Sequence, residues 1–314
     1  MAVPTLNYVP CTEGEGSRRM AYWQWGETDA PHLIVCAHGL SRQGRDFDVL
    51  ARALVARSPV PVRVACPDVV GRGRSDWLAD PAGYGIHTYV ADMLHLLGQL
   101  HGESPVRTLD WVGTSMGGLI GMGLAGTPGL PLPVPIRRLV LNDVGPQIQF
   151  SALQRIGTYL GNTGKFDSVQ QAADTMWAIS QSFGPHTPEQ WLALSEPMVK
   201  PLEGGGFTLH YDPKIAVPFR QIDEQAAVQG QAALWQAYDH IQAETLLLRG
   251  AQSDLLTHEG ALEMTRRGPR ARLVEFEGVG HAPTLIAPDQ VEAVASFLFA
   301  PGSLSHEKPR GGTG

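Results

Sequence analysis

A serine framed by glycines, Gly113-Thr114-Ser115-Met116-Gly117, follows the apolar stretch Leu109-Asp110-Trp111-Val112. A strand, a sharp turn and then the small-residue run Gly117-Gly118-Leu119-Ile120-Gly121 form a layout that lifts a hydroxyl above a sheet edge. In a chain with 36 glycines the pentapeptide alone is weak evidence, and a glycine-rich turn with an incidental serine is the plainer reading. A serine hydroxyl is a poor nucleophile near neutral pH. It needs an adjacent base, itself oriented by a carboxylate. Two later loops offer both: Asp254 in Gly250-Ala-Gln-Ser-Asp254, beyond the apolar run 245–249, and His281 in Glu277-Gly-Val-Gly-His281, beyond 271–276. Ser115, Asp254 and His281 are therefore the expected catalytic set, in the chain order Ser, acid, His. Asp143, just after the run 138–142, is the rival acid, its plainer use being a structural carboxylate that bonds backbone.

Acyl transfer also needs preorganised donors for an oxyanion. The N–H of Met116, next to the serine, is one expected donor, and the N–H of Leu40, in the loop His38-Gly39-Leu40-Ser41-Arg42, is the other. His38, Gly39, Arg42, Asp143, Trp177, His210 and Tyr211 are candidate pocket residues. Surface ion pairing is the plainer use of Arg42 and Arg45, and packing among themselves the plainer use of aromatic residues such as Trp177.

These groups need a scaffold that collects loop ends. The continuous apolar run at 32–37 reads as a strand covered on both faces, 138–142 as another buried strand, and 62–66, 108–112, 245–249 and 271–276 as further strands. A looser aromatic strand lies at 19–26. Helical spacing at 46–57, 87–100, 258–267 and 288–299 alternates with them, which implies an α/β fold with a mostly parallel sheet and helices on both faces. Chemistry on such a sheet lies at the carboxyl ends of its strands. The rhythm breaks at 145–240, where helical patterns (151–161, 167–183, 188–199, 222–238) and aromatic residues replace strands. The expected organisation is a core of 1–144 and 241–300, an all-helical cap of 145–240 hinged in part at Gly204-Gly205-Gly206, and a disordered tail at 301–314.

Charged residues make up 18% of the chain and the net charge is −7, which disfavours nucleic acid as a partner. No apolar run reaches the roughly 18 residues of a membrane span, and the N-terminus lacks the pattern of a signal peptide. Three cysteines are too few for a disulfide framework. Cys36 and Cys66 read as buried thiols and Cys11 as an exposed one, and a cytoplasmic location is expected. His258-Glu259 begins a zinc motif that fails at Leu262, and Gly121-Met-Gly123-Leu-Ala-Gly126 lies inside a helix where no dinucleotide fingerprint belongs. Neither a cofactor nor a metal is expected, and the oligomeric state is not readable.

Together the His38-Gly39 loop, Pro67-Asp68-Val-Val-Gly71-Arg-Gly73-Arg-Ser75, the Ser115 pentapeptide, Asp254 and Gly280-His281 resemble an α/β-hydrolase with a helical cap, over about residues 20 to 300. The resemblance implies an eight-stranded sheet, an acyl-serine intermediate and a scaffold role for Asp68. Relatives that cleave epoxides or haloalkanes place Asp at the nucleophile position, so Ser115 favours carbonyl substrates. The expected activity is hydrolysis of small to medium, largely apolar esters. Lactones, carbon–carbon cleavage of ring-fission products, and a ligand-sensing receptor on the same scaffold are the alternatives.

Overall fold

The computed structural model describes residues 3–13 and 16–301; most of the segment expected to be a disordered tail lies outside them. The amino-terminal part builds strands β1 (Thr5–Glu13), β2 (Gly16–Gly26), β3 (His32–Ala37), β4 (Val62–Pro67), β5 (Thr108–Thr114) and β6 (Ile136–Asn142), with helices α1 (Asp48–Arg57), α2 (Ile86–Glu103) and α3 (Met116–Gly126) between them. After β6 come α4 (Phe150–Tyr159), α5 (Val169–Ser180), α6 (Pro188–Ser195), β7 (Val199–Pro201), β8 (Phe207–Leu209), α7 (Ala216–Phe219) and α8 (Glu224–His240). The chain then returns to the sheet through β9 (Glu244–Gly250), α9 (His258–Met264), β10 (Arg272–Phe276) and α10 (Pro288–Phe299).

Eight strands form one sheet in the order β1-β2-β4-β3-β5-β6-β9-β10. The pairs β1–β2 and β2–β4 are antiparallel, and all pairs from β4 to β10 are parallel. β3 and β4 are buried at all six positions because helices cover both faces. One apolar core lies under α2 and α3, and the other under α1 and α10. α2 supplies the first with Tyr89, Met93, Leu96, Leu97 and Leu100, one stripe at helical spacing.

β1 has no counterpart among the continuous apolar runs, because only alternate residues such as Val9 and Cys11 point inward. Cys11 is therefore buried, not exposed, and all three cysteines are buried free thiols.

The segment between β6 and β9 has its own apolar cluster around Ala172, Met176, Trp191 and Met198. Helices α5, α6 and α8 carry side-chain caps at their N-termini. Ser168 caps α5, and Thr187 with Gln190 forms a capping box on α6. The segment is not all-helical: β7 and β8 pair as a short antiparallel hairpin. Gly204–Gly206 is the turn of that hairpin rather than a hinge, with Gly205 and Gly206 at φ 88° and 78° and Gly205 N–H donating to Leu202 O. α8 packs on α3 so closely that a Cβ on Gly126 would lie 2.0 Å from Ala237 O. The Tyr238 hydroxyl also donates to Met264 O in α9. Gly121 leaves room for the Trp111 indole, so the glycines of 121–126 serve helix packing.

Candidate active site

The parallel register brings the carboxyl ends of β3, β5, β6, β9 and β10 to one edge of the sheet. At the end of β5 the chain turns into α3 through Ser115, whose φ is 51°. A positive φ strains any residue with a Cβ, and the surroundings must hold it. A Cβ on Gly113 would lie 2.3 Å from Gly117 O, and one on Gly117 would lie 2.0 Å from Ala37 O. The Trp111 indole N–H donates to Gly117 O at 2.9 Å, tying β5 to the first turn of α3.

Ser115 Oγ lies 3.0 Å from His281 Nε2. His281 Nδ1 lies 2.7 Å from Asp143 Oδ2. Asp143 is fully buried at the end of β6, in the left-handed region at φ 56°, and its N–H donates to Leu248 O on β9. Its carboxylate also accepts from Gly250 N–H at 2.8 Å and Ser253 O–H at 2.6 Å. With those donors on the carboxylate, Nδ1 is the ring nitrogen that carries the proton, which leaves Nε2 to accept from Ser115. Asn142, one residue earlier, donates from Nδ2 to Thr114 Oγ1 and Pro283 O, joining the loops that bear the serine and the histidine.

Asp254 is not part of this relay. It sits in an exposed ion pair with Arg155 of α4, at 2.7 and 3.0 Å, half of its side chain open to solvent. The loop after β9 still serves the relay, but through Gly250 N–H and the Ser253 hydroxyl, so the choice of Asp254 over Asp143 is corrected. Ser253 and Gly250 had no sequence signal of their own beyond adjacency to Asp254.

Residues 39–42 of the loop expected to bind an oxyanion line the same cavity as the serine. A Cβ on Gly39 would lie 3.8 Å from Ser115 Cβ. Gly39 O and Leu40 O are turned into the protein, accepting from His38 Nδ1 and from Arg72 Nε. Met116 is the first residue of α3, where no carbonyl of the helix is available to its N–H. His38 is wholly buried. Its Nε2 accepts from Val69 N–H, and burial pushes its pKa down to about 3, so it braces the loop as a neutral ring and does not face the cavity at Ser115.

That cavity holds about 300 Å³ and is mostly apolar. Gly39, Leu40, Arg42, Ser115, Tyr211 and His281 line it, together with Ile156 and Tyr159 of α4 and Met176 and Ile179 of α5, which were not singled out in the sequence. Tyr211 accepts from Gly161 N–H. Four expected pocket residues do not line it: His38 and Asp143, placed above, and Trp177 and His210. Trp177 stacks edge-on against Trp191 and His186 within the segment, and His210 is held by main-chain bonds to Gly73 and Met198. Arg42 is bidentate to Asp46, in a pair that lies mostly inside the protein rather than at its surface, and Arg45 is bidentate to Asp48. A wider surface groove of about 650 Å³ beside Gly204–Gly206 is lined by no serine, cysteine or histidine.

The alpha/beta hydrolase family model matches residues 34–296, most of the chain and every residue of the relay. The chain belongs to the alpha/beta hydrolase family. This hydrolase is 48% identical over 300 residues to a 3-hydroxybutyrate-oligomer hydrolase of Cupriavidus necator, covering 95% of this chain and 98% of that one. Among solved structures it resembles a putative hydrolase from Rickettsia typhi (TM-score 0.82, 27% identity, 95% of this chain and 100% of that one). It also resembles an alpha/beta hydrolase from Novosphingobium aromaticivorans (TM-score 0.75, 32% identity, 95% and 99%).

Two polar clusters of this hydrolase have structural uses. Asp68 accepts from Gly44 N–H, Arg74 N–H and Trp23 Nε1, while burial raises its pKa to about 6. Cys11, Asp92 and His95 bring possible ligand atoms within 4.8 Å of one another. The Arg18 guanidinium bonds Asp92 there at 2.5 Å, and burial pushes the Cys11 thiol up to about 12, which opposes a thiolate ligand. No described helix is long and apolar enough to cross a membrane.

Proposed function

We propose that this hydrolase cleaves carboxylic esters through an acyl-serine intermediate, and that short oligomers of 3-hydroxybutyrate are its substrates. The observation that carries the reaction type is the unbroken line of hydrogen bonds Ser115–His281–Asp143. His281 takes the Ser115 proton as Oγ attacks the ester carbonyl, and Asp143 holds the ring and balances the imidazolium. The N–H groups of Leu40 and Met116 receive the oxyanion. The protonated His281 gives its proton to the departing alkoxide, and water then repeats the sequence on the acyl-enzyme. The segment between β6 and β9 acts as the cap, walling the serine with apolar side chains.

The substrate class is supported by the 48% identical relative over nearly its full length. An oligomer of a hydroxy acid is a chain of ester bonds with small apolar units between them, which suits a narrow cavity of about 300 Å³. The test is turnover of 3-hydroxybutyrate dimer and trimer beside p-nitrophenyl esters from acetate to decanoate. Repeated release of acid is expected, with Ser115→Ala lowering kcat about 10⁴-fold or more. Absence of turnover on every substrate would overturn the reading, and one acylation event without further cycles would favour a ligand sensor.

A further inference from the structure

Among the described residues that line the Ser115 cavity there is no carboxylate, and two carry a fixed positive charge, Arg42 and Arg155. Arg42 is committed inside the protein. Its Nε and Nη2 hold Asp46, Nη2 also donates to Leu194 O, and the side chain is 14% exposed. Arg155 is differently placed. It projects from α4, the helix that also presents Ile156 and Tyr159 to the cavity, and its side chain is 41% exposed. Its Nε and Nη2 lie flat against both oxygens of Asp254, which is itself 49% exposed and does not line the cavity.

A guanidinium presents a planar fork that matches any carboxylate, and a pair open to solvent on both partners is screened, so that even a bidentate one exchanges its carboxylate at modest cost. A second carboxylate arriving from the cavity side can therefore take the fork. We infer that Arg155 is the subsite for the free carboxylate at the end of an oligomeric ester, with Asp254 as its resting occupant. The inference rests on the proposed function and adds to it a direction. The oligomer is anchored by its acid end, so the ester presented to Ser115 is counted from that end and the released alcohol carries the carboxylate.

The two partners of the pair then have opposite effects, which a merely structural ion pair would not give. The test uses the linear 3-hydroxybutyrate dimer as free acid and as its methyl ester, bound to full-length protein in a Ser115→Ala background and followed by calorimetry. The free acid is expected to bind more tightly than the methyl ester. Arg155→Gln reduces that preference about threefold to tenfold, Arg155→Lys retains part of it, and Asp254→Asn enlarges it. Equal affinity for acid and methyl ester, or a preference that Arg155→Gln and Asp254→Asn shift in the same direction or not at all, would overturn the inference. Turnover by the unmodified enzyme is measured separately. A preference for the acid without any hydrolysis therefore counts against the proposed function alone.

Discussion

The loops after β6 and β9 each carry an aspartate within reach of the same sheet edge, and the protein treats them in opposite ways. Asp143 is fully buried, its two oxygens meeting Gly250 N–H, the Ser253 hydroxyl and His281 Nδ1. Asp254 is half exposed and meets one arginine. Burying a carboxylate costs several kcal/mol unless donors replace its water, and here the β9 loop supplies the donors while the β6 loop supplies the charge. The lesson is that the relay's acid is made by two strands rather than one. Proximity of an aspartate to a strand end therefore says less than where the neighbouring N–H and O–H groups point.

The largest effect that separates the loops should come from Asp143→Asn, which favours the wrong tautomer of His281 and is expected to lower kcat on a neutral ester about 10⁴-fold. A drop of less than tenfold would return the acid role to the β9 loop. Ser253→Ala removes one donor from Asp143 and should lower kcat/KM about tenfold, because the carboxylate loses part of what fixes it against the ring. Asp254→Asn should change kcat on the same neutral ester less than twofold. The order of these three losses is itself the check, and steady-state kinetics on one p-nitrophenyl ester measures all of them.

A separate effect, on stability rather than turnover, extends the comparison to the loop after β3, where His38, like Asp143, is wholly buried. Burial holds it down to about 3, whereas an unfolded chain protonates histidine near 6.5. Between those values the unfolded state binds the extra proton, so stability present above pH 6.5 is lost as pH falls. The slope approaches about 1.4 kcal/mol per pH unit for this group. Urea unfolding from pH 7 to pH 4 should show the decline, and His38→Gln, though less stable at pH 7, should show a shallower one.

Much of this was legible in the sequence. Ser115 and His281 stand in the short loops just beyond strand-like runs, and in a parallel sheet such runs carry the residues that follow them to one edge. The acid was not legible, because Asp143 and Asp254 follow equally good runs and the deciding bonds from Gly250 and Ser253 exist only after β6 and β9 pair. β1 escaped because an edge strand buries only alternate side chains, and the β7–β8 hairpin because three-residue strands leave no period to read. The pocket residues Ile156, Tyr159, Met176 and Ile179 look in sequence like any other helix stripe. Which face turns to the serine is settled by packing between helices.

The bare backbone of Gly126 against Ala237 has a consequence for anyone wishing to retarget this enzyme. The last helix before β9 is moulded to the helix that follows Ser115, so it is chassis, not accessory. A chimaera that swaps everything between β6 and β9 would discard that fit. One that imports foreign sequence only as far as residue 222, and splices back into the native chain ahead of Asp223, keeps the engine mounted while the ceiling is changed.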